Sequence, residues 1–340
     1  MSQREQGLNR REALKALFGM TAALLVPPGF VLDAQTTAPT SQPTRDRLGE
    51  LLPLRRLGKT GAMVTMLGLG GSHVGRPSEA EAQKMIETAL AGGVRFFDTA
   101  YKYQNGGSET RYGKFLTPKY RDVAFLMTKC DTRDPADARK QLDESLKRLN
   151  TDYLDLWQMH EHTSVDDVNQ RINNKVLDVF VEAREKGKVK HIGFTGHTTP
   201  DTHVLMLDRV GKEKADVLET CQMPINVADP SYSSFVLRVL PRLVERGYGV
   251  LAMKTLAGGG FGGRQGAPKV VPDLISAADA LHFVWSLPVS TLISGPNSAA
   301  QYEETISIAR SFKLMDEQRR NQLIAKISAV AGKGVEYYKG

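Results

Sequence analysis

Phe97-Asp98-Thr99-Ala100-Tyr101-Lys102-Tyr103 closes an apolar run with a carboxylate and, five residues later, a phenol. That spacing sets two proton-handling side chains at one end of a candidate strand. Two later runs end in the same manner. Phe125-Leu126-Met127-Thr128-Lys129 finishes on an ammonium, and Leu154-Asp155-Leu156-Trp157-Gln158-Met159-His160 finishes on an imidazole. Asp, Lys and His at strand ends, with Tyr just past one of them, suggest carbonyl chemistry.

From Arg95 onward, short β-branched and aromatic runs alternate with longer helical patterns, separated by turn residues. This is a repeated βα arrangement. Strands are predicted at Met66 to Gly70, Val94 to Asp98, Val123 to Thr128, Tyr153 to Met159, His191 to Thr195, Val217 to Gln222, Gly249 to Met253 and Ser290 to Ser294. Helices are predicted to begin near Ser78, Glu109, Pro135, Asn174, Pro200, Ser234, Ile275 and Ser298, with one more over Asp316 to Ala331. Eight successive βα units favour a closed (β/α)8 TIM barrel over an open doubly wound sheet. Leu54 to Val64, with Gly58 and Gly61 in its turn, reads as an N-terminal β-hairpin able to plug the lower end.

The 340 residues are 41% hydrophobic and 24% charged, an ordinary globular composition. The first 34 residues hold four basic and three acidic side chains, so the formal charge of +7 leaves +6 on the rest. Basic residues are scattered among acidic ones without an aromatic-basic stripe, which argues against nucleic acid as a partner. Cys130 and Cys221 are too few for a disulfide framework or a zinc knuckle.

Asn9-Arg10-Arg11-Glu12-Ala13-Leu14-Lys15 precedes the uncharged apolar run Ala16 to Val26 and then Pro27-Pro28-Gly29. That run is about half the roughly 20 residues a bilayer span needs, so no stable membrane span is expected. The paired arginines point to a twin-arginine signal peptide over residues 1–34, hence to the export machinery of that route and a periplasmic or otherwise exported protein. Gln35 to Pro43 is rich in Thr, Ser, Gln and Pro, and a flexible linker is expected over 35–52. The barrel should then occupy 53–340.

In such a barrel the C-terminal ends of the strands converge on one mouth, which would gather Asp98, Lys129 and His160, with Tyr103 reaching in from its loop. A tyrosine with a reference pKa of about 10 is a poor acid at neutral pH, and the Lys129 ammonium, oriented by Asp98, should lower it. His160 could hydrogen-bond the carbonyl oxygen that Tyr103 protonates. Each has a structural explanation when taken singly: a cap, a rim aromatic, a surface charge, a core histidine. The four together, each at or just past a strand end, favour a site.

The constellation resembles the aldo-keto reductase family, from about Leu54 through Lys313. Asp98 to Tyr103 matches its Asp-Thr-Ala-x-x-Tyr, Asn105-Gly106-Gly107-Ser108-Glu109-Thr110 its Gly-x-Ser-Glu turn, Thr128-Lys129 its lysine and Gln158-Met159-His160 its histidine. The resemblance implies a NADP(H) or NAD(H) cofactor and reduction of a small-molecule aldehyde, ketone or sugar carbonyl, or the reverse alcohol oxidation. It implies Asp98, Tyr103, Lys129 and His160 as the catalytic set. For the cofactor it implies Gly70 and Gly71 after the first strand, Thr195, and Gln222 at the carboxamide. It also implies Lys254 and Gly258 after the seventh strand, Gly295, Ser298 and Gln301 after the eighth, and Glu304 at the adenine. Gly196 departs from the Asn found in many members, and Met253 from a stacking Tyr. Asn297-Ser298 stands where an arginine commonly faces the 2′-phosphate, which weakens the case for NADPH over NADH.

His160 and His162 are two residues apart, with His197 and Cys221 at the ends of nearby strands. No ligand spacing among them is diagnostic, so no metal site is expected. Gly258 to Gly263 reads as a mobile loop over the cofactor. The rival reading is a non-catalytic or regulatory barrel that binds the cofactor, and an intact tetrad argues against it. Export also implies either a tightly bound, recycled cofactor or chemistry other than net reduction.

Overall fold

Short apolar runs and capped helices alternate until the sheet closes on itself. The computed structural model describes residues 43–213, 216–258 and 269–340. The expected leader, the first part of the expected linker and Gly259 to Gly263 lie outside these residues.

Two ribbons come first. β1 (Arg45–Asp46) pairs antiparallel with β2 (Gly49–Glu50), and β3 (Leu54–Arg56) with β4 (Met63–Thr65). The barrel strands are β5 (Leu67–Gly70), β6 (Phe96–Asp98), β7 (Phe125–Cys130), β8 (Leu154–Met159), β9 (Val189–Thr195), β10 (Thr220–Pro224), β11 (Gly249–Met253) and β12 (Thr291–Ser294). All eight run parallel, and β12 pairs with β5 to close the ring. The (β/α)8 barrel expected from the sequence is the observed fold.

The ribbon of β1 and β2 falls inside the segment expected as a linker. Arg95 clamps Asp46 through Nε and Nη2, at 2.5 and 2.8 Å, and Arg47 reaches Asp122 at 2.6 Å. Polar side chains therefore anchor a stretch whose low hydrophobicity suggested disorder.

The hairpin of β3 and β4 seals the lower end as expected. Leu57 and Val64 pack with Phe96, Met127, Leu156, Leu251 and Ile293 in one buried cluster. Gly58, at φ 52°, lies so close to the start of β11 that a Cβ there would come 2.1 Å from the Gly249 nitrogen. Only glycine meets both demands.

Among the described residues, seven helices open on a Ser or Asp whose side chain accepts from a backbone N–H three residues on: Ser78, Asp134, Ser164, Ser234, Ser276, Ser298 and Asp316. Each such cap is worth about 1 kcal/mol, which explains why the helix starts were legible. The helix Val165–Asn173 was not foreseen, and the one expected near Asn174 begins at Val176 after Lys175 turns to φ 65°. Its inner face buries the Asp167–Arg171 ion pair among its contacts, so apolar periodicity does not announce it. The extra C-terminal helix spans Glu317–Ser328. The chain then doubles back across the barrel mouth, where the Gly340 N–H donates to the Thr198 carbonyl at 2.8 Å.

Candidate active site

Asp98 ends β6 and Lys129 lies in β7, both nearly inaccessible to solvent, and the Lys129 ammonium donates to Asp98 Oδ1. Lys129 Nζ also donates to the Thr99 carbonyl at 2.8 Å and lies 4.9 Å from the centre of the Tyr103 ring. Burial pushes both partners toward neutrality, Asp98 up and Lys129 down, and their mutual attraction opposes it. The Gln222 side chain and the Gly71 backbone also favour the ionised carboxylate by hydrogen bonding.

The loop after β6 separates its two tyrosines. Tyr101 turns outward and donates to Glu144 at 2.7 Å, while Tyr103 meets the His160 ring edge-on at 5.7 Å and 87°. Gln104 and Asn105 in left-handed conformation, then Gly106, swing the chain into the next helix. Ser108 Oγ donates to the Gly71 carbonyl at 2.8 Å, and buried Glu109 accepts from Thr128 at 2.7 Å and Arg148 at 3.2 Å. The Gly-x-Ser-Glu turn thus braces the strand ends that carry Asp98 and Lys129.

Lys129 was expected to bring the Tyr103 phenol down, and the opposite holds. Burial, and then the Asp98 and Glu161 carboxylates, raise it well above its ordinary value. Asp98 matches the lysine's charge, so little net attraction for a phenolate remains. His160 is held neutral by burial and by the Lys129 charge, and its buried Nδ1 has no partner. A phenol that keeps its proton beside a neutral imidazole can donate hydrogen bonds to a carbonyl oxygen.

One cavity of about 640 Å3 carries all four of these residues, within the range of small-molecule and cofactor sites. Its wall also includes the cofactor candidates Gly70, Thr195, Gln222, Lys254, Gly258, Gly295, Gln301 and Glu304. Gly71 and Ser298 do not line it. A Cβ on Gly71 would stand 2.3 Å from the Asp98 carbonyl oxygen, so this glycine permits close packing of the two strand ends. Ser298 is spent on its own helix, accepting from the Gln301 N–H at 3.3 Å. Gly258 and Gly295 are required by protein neighbours, the Val335 carbonyl at 2.1 Å and His73 Nδ1 at 2.2 Å from a Cβ added there.

Gln222 is 2% exposed and its Oε1 has no partner. A buried amide oxygen left unpaired on this scaffold wants an N–H donor, which the carboxamide of a nicotinamide supplies. The residues present fit that cofactor, whose carboxamide Gln222 would hold. Lys254 feels the charges of Glu161 and Arg76 and lies 5.4 Å from the centre of the Tyr338 ring. Of the alternative ligand group, His162 is wholly buried against Phe194, away from the cavity wall.

The sequence reading missed Glu161, Arg76 and Tyr337, and it weighed His197 only as a metal ligand; all four lie on the same wall, as does His73. Glu161 follows His160 directly, a signal that was available; Tyr337 arrives from the returning C-terminal tail, which carried none.

A family model for the aldo/keto reductase family matches residues 66–287. The chain belongs to that family. L-galactose dehydrogenase of Arabidopsis thaliana is 30% identical over 82% of this chain and 95% of its own length. Among solved structures, aldo-keto reductase AKR11C1 from Bacillus halodurans superposes with a TM-score of 0.67 at 23% identity, covering 83% of this chain and 99% of that one. An aldo-keto reductase from Klebsiella pneumoniae in complex with NADPH gives 0.64 at 20%, covering 81% and 95%. At that identity the likeness is one of fold. This aldo/keto reductase is an NAD(P)H-dependent oxidoreductase.

Proposed function

We propose that the protein reduces the carbonyl of a small aldehyde, ketone or sugar, or oxidises the corresponding alcohol, with Tyr103 as general acid or base. The observation that carries this reading is the meeting of Tyr103 and His160 over the Asp98–Lys129 pair, in a cavity that also holds the unpaired Gln222 oxygen. A nicotinamide held in that cavity would supply or accept the hydride. Tyr103 donates its proton to the carbonyl oxygen in reduction and takes it back in oxidation. His160 holds that oxygen as a neutral donor, and the Lys129 ammonium, 4.9 Å from the Tyr103 ring, positions the phenol. The likeness to the Arabidopsis L-galactose dehydrogenase supports a sugar among the substrates.

Tyr103→Phe tests the role. It should lower kcat/KM by about 100-fold or more with test aldehydes, ketones and sugars, the usual share of a general acid. Unchanged turnover would remove Tyr103 from the chemistry and favour a cofactor-binding barrel without catalysis.

Arg10-Arg11 ahead of an uncharged apolar run supports export by the twin-arginine route. Replacing both arginines by lysine should hold the protein in the cytoplasm, read by cell fractionation. An exported enzyme needs a cofactor it does not lose, so protein purified without added nucleotide should release a dinucleotide detectable by mass spectrometry.

A further inference from the structure

Glu161 lines the cavity one residue beyond His160, and its charge acts on Tyr103, Lys129 and Lys254. It is ionised and held from two sides. His197 Nε2 meets Oε1 at 2.7 Å, and Lys102 Nζ donates to Oε2 at 3.0 Å. Both holders are themselves placed by the site. Lys102 directly precedes Tyr103, and His197 Nδ1 contacts the Tyr338 carbonyl of the returning tail at 3.3 Å. The Glu161 side chain is 19% exposed. Each carboxylate oxygen uses one partner and can accept a second hydrogen bond.

We propose that Glu161 selects for a hydroxylated substrate, its carboxylate accepting a hydrogen bond from a hydroxyl on a carbon next to the reacting one. The inference rests on the carbonyl–alcohol chemistry proposed above and names the feature of the substrate that this site recognises. A hydroxyl replaces the water that the carboxylate loses when substrate enters. A plain aliphatic carbonyl takes that water away and returns nothing. A site built around a hydrogen bond to a hydroxyl penalises the analogue that lacks it. Lys102 and His197 fix the carboxylate before substrate arrives, so little ordering is required on binding.

The test uses matched pairs on the full chain: lactaldehyde against propionaldehyde in reduction, and a hexose against its 2-deoxy form in oxidation. Wild type should favour the hydroxylated member by about 10- to 100-fold in kcat/KM, the worth of one charge-assisted hydrogen bond. Glu161→Ala should bring that ratio close to one, with Glu161→Gln, which keeps shape and a neutral acceptor, in between. Thermal unfolding of each variant checks the fold. A ratio unchanged in both variants overturns the proposal. So does an equal loss on both members of a pair, which would assign Glu161 to proton transfer instead of recognition. Tyr103→Phe is run alongside. If it retains wild-type turnover, or if wild type turns over no member of either pair, the reading of the site itself falls. If Tyr103→Phe is inactive while Glu161→Ala keeps its ratio, only the role of Glu161 falls.

Discussion

Asp98 and Lys129 form a buried ion pair whose members each need the other, because an uncompensated charge out of water is costly. Lys129→Met should therefore cost about 3 to 5 kcal/mol of stability as well as activity, and urea unfolding measures it. A loss under about 1 kcal/mol would show that Asp98 simply takes up a proton, as its upward shift permits. Asn297 lines the cavity and Ser298 follows it outside the wall; neither brings a cation, and the Ala299 N–H is already occupied by Glu81 Oε1 at 2.7 Å. A 2′-phosphate approaching that helix start would meet a carboxylate in place of a free amide. Glu81→Gln should raise kcat/KM for NADPH relative to NADH several-fold, and an unchanged ratio would place the 2′ position elsewhere.

The element that departs most from expectation is the tail after Gly332. Lys339 is buried there, its Nζ 2.7 Å from Asp229, 2.8 Å from Glu336 and 2.7 Å from the Tyr232 carbonyl. Asn226 donates to Glu336 at 3.1 Å and to the Tyr338 hydroxyl at 2.9 Å. This network locks the tail over the loops that follow β9 and β10 and carries Tyr337 to the cavity. Lys339→Met would leave two buried carboxylates facing each other, both already raised by burial. The tail should then detach, making it sensitive to limited proteolysis and raising KM, with the barrel still folded. Protection equal to wild type would contradict this. No single-residue pattern foretold the lock, because its members lie about 110 positions apart in the chain. The strands that lead to Asp98, Lys129 and His160 were legible for the opposite reason. Each is a short, mostly apolar run, broken by Thr128 in β7 and by Asp155 and Gln158 in β8, and the Asp134 cap declares the start of the helix between those two.

Across the whole molecule, several histidines are buried in neutral form. His203 is wholly inaccessible, and burial lowers it to about 4. Between its unfolded value near 6.5 and about 4, the unfolded chain binds a proton that the folded chain refuses, so stability falls as pH falls through that window. The share of His203 is on the order of 3 kcal/mol. Asp98, Asp229 and Glu336, raised by burial, act in the opposite sense. The histidine's part is therefore read as the difference between wild type and His203→Asn in urea midpoints from pH 7 to 4. Parallel pH profiles would refute it. The sequence by itself determined the barrel and the hairpin plug and singled out Asp98, Tyr103, Lys129 and His160, which one cavity gathers, because hydrophobic period, caps and strand-end chemistry are local properties of the chain. Only the tertiary structure decided which way the Tyr103 phenol shifts, that Gly71 and Ser298 serve packing and capping, and that Glu161 and Tyr337 share the cavity. Those outcomes depend on burial and on charges brought together from distant segments, and neither quantity exists until the barrel closes.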